Sequence, residues 1–554
     1  MKKYIFKDND ISAPAAITVA VLALILKLIL SYTQFATIYP NLAPIDDHLM
    51  TTAAMSIVEG NWLGEYTYLT ISKHAFFAVW LAFLHVIKMP YLVANMLLWA
   101  AASLAAVMAL RPVFRKRWHI LFTFLGLLYN PAASAQYATR IYRDAIFPSL
   151  CLMFVAGITA VGLRYRESVK KWAGWLVLYG VSFGCIYLCR EDGMWIIPYF
   201  AAAFVIVTIL LFVEKTKGKF VKITAMLLPF VLSAAVIGGY SYMNYIHYGR
   251  FIVSDFTSAE FKAAYGALTS LEQDEWHPMV AVPEDVRENV YREVEAFTPV
   301  KKALQKPLLV NGYYNETIGD FASGAFYWAL REALSDLGMY DTPQTAQQYY
   351  EKLTAEIQQA VNEGRLKTSN GKTTLRKSVT PPIKMEYVPD VLAETFAGFK
   401  VSILFEQCDP VAHRAVGTPE EITPVEEFIN QPGAVALIPY TETPYLSPIR
   451  AITHGILRVF NAVYTVCIPV MFVIAVFWQI KKLREDMTNK KFDGETMLNI
   501  VMLGLVGMAL LRCAMIAFVE VASFGIGTYV MYLSTVHPLL IMYSFTGFCK
   551  TFEY

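Results

Sequence analysis

Apolar residues run along this chain in blocks longer than the core of a soluble helix needs. Stretches near 12–36, 91–110, 119–138, 145–163, 173–189, 194–213, 221–243, 451–479, 496–518 and 527–548 are apolar nearly throughout. A spanning helix takes roughly 20 such residues, so these stretches predict about ten transmembrane helices. A further apolar stretch, 75–87, is too short to cross and is expected to lie as an interfacial or re-entrant helix. Between the seventh and eighth spans the pattern changes. There "DFASGAFYWALREALSDL" (Asp320–Leu337) and "TAQQYYEKLTAEIQQAVN" (Thr345–Asn362) place apolar groups at helical spacing and stop at Gly338 and Gly364. The expected fold class is an all-α polytopic membrane protein. It divides into an N-terminal membrane module (1–244), a mainly helical extracytoplasmic domain (245–450) and C-terminal membrane helices (451–554).

Composition agrees: 56% of the 554 residues are hydrophobic and only 17% charged, which excludes an ordinary soluble chain. The net charge of +2 hides an asymmetry. Residues 251–450 hold 28 acidic and 17 basic side chains, leaving 17 acidic and 30 basic elsewhere. The acidic part reads as a water-exposed insert, the basic part as membrane segments with cytoplasmic loops. Basic residues orient the spans. If 75–87 does not cross, Lys2, Lys3 and Lys7 share one side with Arg111–Arg117, Arg164–Lys171, Lys215–Lys219, Lys481–Lys491 and Lys550. Both termini are then expected in the cytoplasm, with the loop 37–74 and the large insert outside. Seven cysteines are scattered, and only Cys408 falls in the insert, so that domain has no disulfide framework. This fits a bacterial plasma-membrane protein. Clustered His/Cys metal spacing and a Gly-rich phosphate loop are both absent from the sequence, and no nucleic acid is expected as a partner.

The outer loops are nearly free of basic residues, so Lys73, Arg140, Arg143 and Arg190 stand out in "SKHAFF", "RIYRD" and "CREDG". Two readings apply. A guanidinium fork matches phosphate oxygens and could hold a lipid phosphate, or each cation pairs with Asp144, Glu191 or Asp192. Arg512, toward the outer end of its span, has the same choice between a phosphate and Glu520. His537, deeper and followed by Pro538, reads as a hydrogen-bonded bundle residue, and Lys27 as a mid-span cation that snorkels inward. The first outer loop carries adjacent carboxylates, Asp46 and Asp47, ahead of a short surface helix from Leu49 that Gly60 can close. One aspartate is enough to cap that helix. The other is left for chemistry at the interface, where a carboxylate beside an acceptor hydroxyl can act as general base. The pair could also hold a divalent cation, though two acids are few for that.

Read in order, Asp46-Asp47, then Ile57, Gly60, Trp62-Leu63-Gly64 and Tyr66, then Leu69-Thr70-Ile71-Ser72-Lys73 before a short apolar helix, this region resembles the GT-C superfamily of integral-membrane glycosyltransferases. That superfamily includes protein O-mannosyltransferases and aminoarabinose transferases. Arg140–Asp144, Arg190–Pro198, "FYWALREAL" and "YYEKLTAEI" resemble a bacterial subgroup of it. "KHAF" departs from the pattern by lacking a Gly or Pro after the lysine.

The resemblance implies transfer of a sugar from a polyprenyl-phosphate carrier to an acceptor hydroxyl, with inversion. Asp46 would be the base and Asp47 its orienting partner. Lys73, Arg140, Arg143, Arg190 and Arg512 would bind the donor phosphate, with His48, Tyr142, Glu191 and Asp192 contacting the acceptor or supporting the site. The acceptor would be a cell-envelope glycan, lipid or protein. The competing readings are a lipid or polysaccharide transporter, which predicts inverted repeats and mid-membrane charges, and a non-catalytic envelope scaffold, which has no use for paired acids beside outer cations.

Overall fold

The computed structural model describes residues 10–39, 44–274, 276–380, 382–410, 415–431, 448–489, 494–525, 527 and 530–553. Lys2, Lys3, Lys7, Lys490 and Lys491, which entered the reading of the sequence, lie outside them. The protein is an all-α polytopic membrane protein. Among the described residues the sole sheet is a two-residue hairpin pairing Tyr314–Asn315 with Asp320–Phe321.

Among the described residues, six helices are long and apolar enough to cross a bilayer: Ala13–Tyr32, Tyr91–Val113, Glu191–Val213, Lys219–Tyr248, Pro448–Thr488 and Gly494–Phe524. Arg117–Leu128, Phe147–Leu163 and Ala173–Cys189 are shorter apolar helices packed among them. The stretch expected to run unbroken over 119–138 ends as a helix at Leu128. Pro131 has no N–H to continue it, and Asn130 instead caps a tight turn by accepting from the Ala132 N–H at 3.1 Å. The last expected span likewise divides into Val530–Leu533 and Val536–Thr551. Phe76–Val86 forms an 11-residue helix, about 16 Å long and too short to cross.

Two hydrophobic cores result. The larger joins the membrane helices, and the smaller fills the insert around Phe261, Phe326, Leu353 and Ile357. The insert helices are Ser323–Asp336 and Pro343–Asn362, followed by Gly338 and Gly364 in left-handed conformations that spare a Cβ clash. Segment 245–450 therefore does not pack as a single body. Helix Val388–Ile403 lies against Gly494–Val519, and Phe405, Cys408, Ile422 and Phe428 belong to the membrane-helix core. Cys408 Sγ sits 3.4 Å from both Tyr137 Oη and His537 Nε2, so His537 is a buried bundle residue. Lys27 does not snorkel. It is buried and donates to Ser134 Oγ at 2.5 Å, because the turn at Pro131 brings that hydroxyl beside it.

Candidate functional site

The loop that follows the first membrane helix is tied to its neighbours through the backbone. Thr37 N–H donates to the Thr139 carbonyl and Ile141 N–H to the Thr37 carbonyl, each at 3.1 Å. This short parallel bridge sets Arg140 beside the turn Pro44–His48 that carries the acid pair. The helix Leu49–Val58 has no side-chain cap at its start. Neither aspartate takes the capping role expected of one of them, because both are held by cations.

The two carboxylates have different surroundings. Asp47 has 2% of its side chain exposed; Arg140 Nε reaches both its oxygens at 3.0 Å and Nη2 reaches Oδ1 at 2.7 Å. Asp46 has 29% exposed, pairs with Lys73 Nζ, and accepts from Tyr142 Oη at 2.9 Å. Burial pushes the Asp47 carboxyl above the ordinary carboxylate range, with Arg140 pulling against it. Burial also raises Asp46, but Lys73, Arg143 and the Tyr142 hydroxyl outweigh it and leave that carboxyl below its ordinary value. Arg140→Lys gives up the two-pronged contact, and thermal unfolding in detergent is expected to show a loss of about 1.5–3 kcal/mol.

The remaining cations extend the network. Arg143 Nη1 donates to Glu191 at 2.7 Å and Nη2 to Tyr142 Oη at 2.8 Å. Arg190 reaches Asp144 at 2.6 Å and Asp192 at 2.9 Å. Arg512 takes Asp192 at 2.8 Å and the Tyr532 carbonyl at 3.0 Å, so its carboxylate partner is Asp192 rather than Glu520. Five carboxylates thus face five cations, and the cluster is formally neutral. Arg143 Nε and Arg512 Nη2 are buried donors with no partner. His48 stays outside the network, exposed at the start of its helix.

A cavity of ≈ 510 Å³ opens over this network. Asp46, Lys73, Tyr142, Arg143, Arg190, Glu191 and Asp192 line one side. The insert supplies the other through Phe256, Tyr313, Tyr327 and Trp328, and Ile516, Val519, Phe524 and Tyr532 complete it. Trp328 presents its ring 5.3 Å from Lys73 Nζ, and Tyr532 its ring 4.7 Å from the Arg190 guanidinium. Reading of the sequence missed the insert aromatics. "FYWALREAL" is an amphipathic helix, and nothing in its period tells which rings leave the core for a cavity. Among the described residues no group of three or more His, Cys, Asp or Glu stands in a metal-holding arrangement. The oxygens of Asp46 and Asp47 already face Lys73, Tyr142 and Arg140.

No family model matches this chain, and no curated protein matches it. Solved structures do: ArnT from Cupriavidus metallidurans in the apo state, at 15% identity, and the same protein bound to undecaprenyl phosphate, at 13%. Each alignment covers 96% of this chain and 78% of the other, with a TM-score of 0.34.

Proposed function

We propose that this chain is a GT-C-type glycosyltransferase that moves a sugar from a polyprenyl-phosphate carrier to an acceptor hydroxyl at the outer face of the bacterial cell membrane, with inversion. One observation carries the reading. Asp46, the more exposed acid of the pair, lies on the wall of a cavity that also presents Lys73, Arg143 and Arg190. An acceptor oxygen attacks the anomeric carbon as its proton passes to Asp46 Oδ, and the bond from that carbon to the phosphate oxygen breaks. The leaving phosphate gains negative charge, and donors already in place stabilise it without rearrangement of solvent. Because Lys73 is paired with Asp46, an arriving phosphate draws the ammonium toward itself and frees the carboxylate to accept a proton. Asp47, locked on Arg140, fixes the turn that carries Asp46. The spare donor on Arg143, which lines the cavity, suits the same anion.

The test is consumption of radiolabelled polyprenyl-phosphate sugars by protein reconstituted in liposomes, with product analysis for a broken glycosyl bond. A transporter would move the lipid intact, and that result would remove the proposal. Lys73 also sets a pH dependence. It lowers the Asp46 carboxyl, so in Lys73→Met that carboxyl rises and becomes protonated at higher pH. The acidic limb of the residual turnover is therefore expected to move to higher pH than in the wild type. A limb that stays in place would remove Asp46 from the proton transfer.

A further inference from the structure

A second cavity, of ≈ 380 Å³, lies in the insert next to the first. The two share a wall: Ser323 and Ala522 face the second where Gly324 and Phe524 face the first. Ser323 is held there by its N–H and hydroxyl, which donate to the Met279 carbonyl at 2.7 and 2.9 Å. The lining is unlike a lipid groove. Trp276 and Tyr387 meet edge to face at 5.6 Å, and around them stand Gln273, Asn370, Arg376 and Lys384. Lys384 Nζ lies 4.2 Å from the Trp276 ring centre. Arg376 donates Nη2 to the Thr380 carbonyl at 2.8 Å and leaves Nη1 buried with no partner.

Flat aromatic faces beside amide and charged side chains suit a sugar ring, whose C–H face stacks while its hydroxyls take hydrogen bonds. The charge narrows the class. In an insert with an acidic excess, two cations, Arg376 and Lys384, line this cavity. One carboxylate, Glu272, also lines the cavity.

We infer that this second cavity is the acceptor subsite and that it takes an anionic saccharide, one bearing phosphate or carboxylate groups. The inference rests on the proposed glycosyl transfer, and it places the acceptor next to the cavity that holds Asp46, with Ser323 and Gly324 on either side of the shared wall.

Saturation-transfer NMR on the full chain in lipid nanodiscs tests it without needing turnover. The probes are three oligosaccharides of equal length: one phosphorylated, one of uronic acids, one neutral. Binding of an anionic probe, at least about tenfold weaker in Arg376→Gln and Lys384→Gln and lost in Trp276→Ala, is expected. The stronger of the two anionic probes tells phosphate from carboxylate. Equal binding of the neutral probe, or anionic binding unchanged in all three variants, overturns the inference. Hydrolysis of the polyprenyl-phosphate sugar by water is measured alongside. If the wild type shows neither hydrolysis nor transfer, the glycosyltransferase reading fails. If the variants hydrolyse donor normally yet show no rise in KM for the anionic acceptor, only the subsite fails.

Discussion

Under the proposed function, replacing Asp46 by asparagine is expected to lower sugar transfer by about 10²–10⁴-fold, the usual range for loss of a general base, with the protein still folded and still binding polyprenyl phosphate. Asparagine keeps the size of the side chain and can still accept from the Tyr142 hydroxyl, now at 2.9 Å from Oδ1. It cannot take a proton from an acceptor. It also releases Lys73, so affinity for the donor phosphate is expected to hold or rise while turnover falls. That split between binding and turnover distinguishes loss of the base from collapse of the site. The measurement is transfer and lipid binding by purified protein with radiolabelled donor. Full turnover in Asp46→Asn would reduce the acid pair to a structural clamp on Lys73 and Arg140.

The second large effect is expected outside the chemistry, at Arg331. This residue is fully buried in the insert helix Ser323–Asp336. Its Nη2 donates to Asp255 at 3.1 Å and its Nε to the Tyr68 carbonyl at 3.0 Å, with the guanidinium between the rings of Tyr340 and Phe256. Asp255 N–H in turn donates to the Ile71 carbonyl at 2.8 Å. Arg331 thus couples the insert to the strip of the loop after the first membrane helix that ends at Lys73. Arg331→Met leaves Asp255 buried without its ion-pair partner, holding only a long contact from the Tyr66 hydroxyl at 3.5 Å, a loss of about 3–5 kcal/mol. Thermal unfolding in detergent and proteolysis of the 66–73 strip are expected to report it. Adding Asp255→Leu removes the stranded charge and is expected to recover most of the stability, because burying the pair was itself costly. If the single variant melts like the wild type, Arg331 is not the fastening point.

The run of apolar blocks was enough to locate apolar helices, since a bilayer demands length and apolarity and both can be counted along the chain, but it did not show the breaks after Leu128 and Leu533. The insert helices ending at Gly338 and Gly364 were legible for a similar reason, through the 3.6-residue period and a residue tolerant of positive φ. Asp46, Asp47, Lys73, Arg140, Arg143, Arg190 and Arg512 were legible as a set because charges at the rim of apolar blocks are rare enough to notice. Which charge meets which was not. Asp46 and Lys73 stand 27 positions apart, and Arg512 and Asp192 stand 320 apart. The bland role foreseen for one aspartate, capping its own helix, gave way because Arg140 and Lys73 come within reach once Thr37 pairs with the 139–141 backbone.

The packing of residues 388–410 and 415–429 among the membrane helices escaped the sequence for the opposite reason. This segment has a charged residue every few positions, so it reads as water-exposed, yet one face of Val388–Ile403 covers the helix Gly494–Val519. Local period and composition act over one turn or one strip of bilayer, and a single chain displays them without its fold. Ion pairs, the aromatic wall of the cavity and the fastening at Arg331 depend on contacts between distant segments. Their energies exist only after the helices have packed, so they were settled by the tertiary structure alone.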